Sequence, residues 1–161
     1  MKKFLLVAAV LFASFTFLNS QHITTLNEVL SAISEQRSEA PSSILDQRTE
    51  ESDTAIANAF SNHESNLQVF GQGVVTKLFR DDNNGSRHQK FLIKLSSGHT
   101  LLVSHNIDLA PRINSLREGD SVQFYGEYEW NEKGGVVHWT HRDPKGSHES
   151  GWLQHQGERY Q

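Results

Sequence analysis

From Leu67 onward apolar and polar positions alternate with a period of two, and each alternating run is closed by a cluster of turn-forming residues. "HQKFLIKL" sets Phe91, Ile93 and Leu95 on one face against His88, Lys90 and Lys94 on the other. "TLLVSHN" places Leu101, Val103 and His105 on one side, and "SVQFYGEYEW" keeps Val122, Phe124, Gly126, Tyr128 and Trp130 in phase. In "LQVFGQGVVTKLF", Gly71 and Gly73 interrupt a β-rich run, the signature of a bent or bulged strand. "DDNNG", "SSGH" and "NEKGG" supply turns, the last closing a hairpin onto "VVHWTH". "IDLAPRINSLREGD" reads as a short helical or coiled connection ending at Gly119. Five short strands, with that link between the third and fourth, predict an α+β, mainly β chain built on a five-stranded antiparallel barrel of the OB type.

Ahead of the strands the period is helical. "TTLNEVLSAISEQR" spaces Leu26, Val29, Leu30 and Ile33 for one helix face, with Thr25 and Glu28 in capping-box register. "SEAPSSILDQRTEES" is polar and broken by proline, as a linker would be. "SDTAIANAFSNHES" predicts a second short helix with Ile56, Ala59 and Phe60 on one side and Ser52 or Asp53 as its cap. The first 20 residues have the layout of a secretory signal peptide: Lys2 and Lys3, an uncharged apolar run from Phe4 to Leu18, then small polar residues, with cleavage expected before Gln21. A retained membrane anchor is the competing reading, since the apolar run approaches the length of a bilayer span. The expected organisation is a signal peptide over 1–20, an acidic helical and linker segment over 21–65, and a barrel domain with an ordered tail over 66–161.

Charge refines this picture. The formal net charge of −4 becomes −6 once Lys2 and Lys3 leave with the leader. Residues 21–65 hold two basic and eight acidic residues, whereas residues 66–161 hold eleven of each and seven histidines. A broad basic face for duplex DNA is therefore absent. Without cysteine the chain has neither disulfides nor thiolate ligands or nucleophiles. Export would place it in the periplasm or outside the cell, with membrane contact only through the leader.

Three kinds of chemistry compete for the polar residues. For a divalent transition metal such as zinc, the candidate ligands are His105, His138, His141 and His148. His138 and His141 point to opposite faces of a regular strand, so their convergence would need a bulge or a strand end near Thr140. His141, His148 and His155 follow at intervals of seven in a tail that could fold back. A metal-dependent phosphodiesterase could use His88, His105, His138 and His141 with Arg87 or Arg112 as cationic stabiliser. No G-x-S-x-G nucleophile motif occurs, and no residue is singled out as catalytic. A binding module would use Arg87, His88, His105, Asn106, Trp139, Arg142 and Trp152, with Tyr125 and Tyr160 as further stacking groups and Lys90, Lys94 and Lys145 as further cations. Trp130 and Trp139 are expected to face each other across the closing hairpin, and Trp152 to pin the tail.

The motifs "DDNNGSRHQKFLIKL", "LLVSHNIDLAPRI", "GDSVQFYGEYEWNEKGGVVHWTH" and "DPKGSHESGWLQH" resemble, in order and spacing, an uncharacterised family of small exported bacterial proteins, a domain of unknown function, over roughly residues 67–161. The resemblance implies a shared fold and export and carries no activity. Its pattern often has a further histidine where this chain has Arg142, which implies that position 142 is not an indispensable ligand. The expected function is an envelope binding or interaction module for a protein, glycan or single-stranded nucleic acid, with the metal-dependent hydrolase as the alternative.

Overall fold

The computed structural model describes residues 28, 31 and 44–161. The expected leader lies outside the described residues, as does most of the first expected helix; Glu28 and Ser31 are helical, with Ser31 Oγ donating to the Glu28 carbonyl. The chain divides into two units, Met1–Leu45 and Asp46–Gln161. Among the described residues no helix is long and apolar enough to cross a membrane.

Helix α1 covers residues 44–62 and so begins well inside the stretch expected to be a linker. Asp53, Ile56 and Ala59 form its buried stripe. Asp53 is accordingly not the cap but a mid-helix group, whose Oδ2 accepts from Ser96 Oγ at 2.6 Å and the Ser97 amide at 2.9 Å. The helix ends with His63 at φ 58°, while the Glu64 amide bonds the Ala59 carbonyl and the His63 amide bonds that of Phe60. This paired closure is a Schellman motif with histidine in the left-handed position.

Seven strands follow: β1 (Leu67–Leu78), β2 (His88–Leu95), β3 (Thr100–Asn106), β4 (Ser121–Glu129), β5 (Val136–His138), β6 (Trp152–His155) and β7 (Glu158–Tyr160). The sheet order β1-β2-β3-β5-β4 closes on itself through β1–β4, giving the expected five-stranded barrel. Gly73 pairs with Leu95 on one side and Val122 on the other, where β1 passes from one neighbour to the next. The register shift expected near the glycines falls slightly later, between Val75 and Lys77. The barrel is mixed rather than wholly antiparallel, because β5 runs parallel to β3. That follows from closure: β5 leaves the β4 hairpin and must fill the gap beside β3 in whatever direction the hairpin dictates.

The alternation is borne out on the inside. Phe91, Ile93, Leu101, Val103, Val122, Phe124, Tyr128 and Val137 are fully buried, joined by Ile56 of α1 and Leu153 of β6. Each such side chain contributes about 1.5–3 kcal/mol over its exposed state. Between β3 and β4 the chain makes turns rather than a helix. Its backbone is satisfied by core side chains: Gln89 receives the Ile113 amide at 2.9 Å and donates to the Ile113 carbonyl at 3.0 Å, so Ile113 can sit fully buried.

The tail is a hairpin, β6–β7, added to the free edge of β4. Gln156 and Gly157, both at positive φ, form its two-residue turn. One edge of β4 is thereby shared, with Glu127–Glu129 pairing with β5 and Val122–Tyr125 with β6. Gly126 marks the changeover, since a Cβ there would lie 2.4 Å from the His138 carbonyl.

Candidate functional site

The strand pairing brings polar groups together on the outer face of β4 and β5. Glu127 lies opposite His138, and Glu129 is its diagonal neighbour, opposite Val136. His138 Nε2 is 3.3 Å from Glu127 Oε1 and 3.9 Å from Glu129 Oε1. It is shielded from solvent and makes no hydrogen bond. The ligand atoms of Glu127, Glu129 and His138 all fall within 4.8 Å of one another.

His148 completes the cluster from the tail, its Nε2 lying 2.5 Å from Glu127 Oε2. Burial pushes the Glu127 carboxyl up, but the His148 hydrogen bond and the neighbouring imidazoles outweigh it and leave it below the usual range. Burial likewise depresses His148, yet its bond to Glu127 carries the imidazole above its ordinary value. The loop behind His148 is organised by Asp143, whose carboxylate accepts from the amides of Lys145, Ser147 and His148 and from Ser147 Oγ. Those donors, the Lys145 amide first, hold the Asp143 carboxyl far below the usual range.

Trp139 connects strand to loop. Its φ of 51° ends β5, and its ring stacks on His148 at 4.0 Å with a 7° interplanar angle. It therefore does not pair with Trp130, which packs on His63 at 4.3 Å and donates Nε1–H to the Phe60 carbonyl. Because the strand stops there, His138 and His141 escape strict alternation, yet they do not converge: His141 is buried against Trp139, with Nδ1 on the Arg142 carbonyl. His105 faces the barrel interior, fully buried between Thr140 Oγ1 at 2.8 Å and the Pro111 carbonyl at 3.1 Å. Of the four expected metal ligands, only His138 and His148 share the outer cluster. The strand register adds Glu127 and Glu129, whose outward positions in "GEYEW" were the available signal.

The expected ligand-binding residues are largely engaged within the chain. Arg87 pairs with Asp108 at 2.7 Å, and Asn106 Oδ1 accepts the Asp108 amide. His88 Nδ1 lies against the Ser86 carbonyl. Lys90 pairs with Asp82, and Arg112 with Asp81. Arg159 covers one face of Trp152 at 4.2 Å, and Tyr125 donates to Glu149. Arg142 is exposed, and Tyr160 is buried.

A different surface remains open. Leu92 and Leu102 are register partners on the outer side of β2 and β3. With Phe79, Thr100 and Gly135 they line a groove of about 520 Å³, edged by Glu132 and Lys133. It lies between the 79–87 and 130–135 connections, the β1–β2 and β4–β5 loops that flank the ligand face of OB barrels. Its signal in the sequence is the pair of leucines standing on an otherwise polar face of the alternation. The sequence profile of a family described as a protein of unknown function (DUF3465) matches residues 39–161, reaching back to include α1. No curated protein matches the chain.

Proposed function

We propose, from the premise that the chain belongs to the DUF3465 family, that it is a binding module of the cell envelope that holds its ligand in the groove over Leu92 and Leu102. The observation that carries this reading is an apolar floor with an exposed aromatic, Phe79, between the two loops that serve ligands in OB barrels. A groove of about 520 Å³ suits a small ligand or one or two protruding units of a larger one. Export rests on the leader-like first 20 residues.

The ligand class follows from charge. Arg87, Lys90 and Arg112 beside the groove's loops are each matched by an aspartate, Lys133 at its edge adjoins Glu132, and Lys77 lies over the Phe79 ring, so among the described residues the surface has no broad unpaired basic patch to neutralise a run of phosphates. A peptide with an apolar side chain or a glycan with a sugar ring fits this surface better than a nucleic acid. The hydrolase alternative draws less support, because His105 is sealed inside the barrel with both ring nitrogens engaged.

Trp130, next to the 131–135 loop, is an intrinsic reporter for titration with short peptides, oligosaccharides and an oligothymidylate. The expected result is saturable quenching by a peptide or glycan that Leu102→Glu and Phe79→Ala abolish. Binding indifferent to both substitutions, or oligothymidylate binding that dominates and collapses with salt, would overturn the proposal.

A further inference from the structure

We infer that Glu127, Glu129 and His138 form a binding site for one divalent transition-metal ion, zinc being the best match, with His148 aligning Glu127 from behind. The site is distinct from the groove, though both open on the outer face of the barrel. Leu102 and Glu129 are separated there by one side chain, Val136, which pairs with both.

The donor set is the first argument. One imidazole nitrogen with two carboxylates suits zinc and its first-row neighbours, whereas calcium and magnesium prefer oxygen alone. Spacing is the second. Donors on a tetrahedral ion at about 2.0–2.1 Å stand about 3.3–3.4 Å apart, and His138 Nε2 and Glu127 Oε1 are separated by 3.3 Å. Glu129 Oε1, at 3.9 Å, lies half an ångström or so further out, on a side chain free to adjust because it is partly exposed. Three protein ligands leave an open position for water or a substrate group.

His138 itself points the same way. Its Nε2 is hidden from solvent, faces two carboxylates and has no hydrogen bond, a condition that an ion between these groups would relieve. Two carboxylates held this close also repel unless a cation stands between them. The ligands are also supported from behind. Glu127 Oε2 is held by His148, His148 is stacked on Trp139, and Asp143 fixes the loop that delivers it. Ligating carboxylates are characteristically oriented by such outer hydrogen bonds.

The competing arrangement is an imidazolium bridging two glutamates with no ion. Titration of the untagged full chain with zinc chloride at pH 7.5, followed by calorimetry and thermal unfolding, separates the two. One equivalent of zinc should bind and raise the melting temperature, and calcium should not compete. Cobalt(II) should give the visible absorption of a low-coordinate nitrogen and oxygen site. His138→Ala and Glu129→Gln should lose binding, while His148→Gln should weaken it about tenfold. Circular dichroism checks that each variant is folded. Folded wild-type protein that takes up no zinc would overturn the inference, as would uptake that persists in both His138→Ala and Glu129→Gln.

Discussion

His105 Nδ1 and Thr140 Oγ1 meet at 2.8 Å inside the barrel, joining β3 to the chain just beyond β5. The Pro111 carbonyl can only accept, so His105 carries its proton on Nε2 and Nδ1 accepts from the threonine hydroxyl. Burial, the dominant cause, pushes this imidazole down to about 4.

Acid should therefore destabilise the protein before its carboxylates titrate. Between the ordinary imidazole value of 6.5 and about 4, the unfolded chain binds a proton that the folded chain refuses, so stability falls as pH drops through that window. The full effect is roughly 3 kcal/mol, measurable as urea midpoints across the range. Thr140→Val should destabilise by about 1–3 kcal/mol by leaving Nδ1 without its donor.

The His148–Glu127 contact has the opposite sign. With the folded-state value of His148 raised, its contribution is complete below the ordinary 6.5 and fades as pH rises through the raised value. NMR titration should show His148 deprotonating above the usual histidine range, and Glu127→Gln should return it toward that range. An unchanged titration in the variant would show that Glu127 is not the cause.

Gln89 replaces a helix in the β3–β4 connection by bonding both backbone groups of Ile113. Gln89→Leu should strand a buried donor and a buried acceptor, at about 1–3 kcal/mol each. The loss should appear in equilibrium unfolding, with fast amide exchange at Ile113.

Asp53 ties α1 to the β2–β3 turn through Ser96 and Ser97. Asp53→Ala should lower stability by about 1–3 kcal/mol, because the Ser97 amide loses its acceptor. Asp53→Asn, which keeps one acceptor oxygen, should lose less, and equal losses would point to charge rather than hydrogen bonding.

How much of this was legible in the chain varies with the range of the forces involved. Alternation identified the inward rows of β2, β3 and β4 because burial acts on each side chain separately. The β6–β7 hairpin was hidden by its brevity, although "WLQHQGERY" alternates around a two-residue Gln-Gly turn. The start of α1 was misplaced because residues 46–52 are all polar and Ile44 is exposed, so the helicity of this stretch is carried by continuity with the buried stripe of Asp53, Ile56 and Ala59.

The amino-acid order alone determined the barrel, its strand count up to β5, and the clustering of histidines near its end, since periodicity and turn chemistry are local properties. Which histidines meet, and with what, was decided by tertiary structure. The phase of His105 with Leu101 and Val103 already turned it inward, but a closed sheet fixes register between strands distant in sequence, and register sets His138 against Glu127 and Glu129 and places Leu92 beside Leu102. A neighbour across a strand pair has no counterpart in local spacing, so no reading of one strand at a time could supply it.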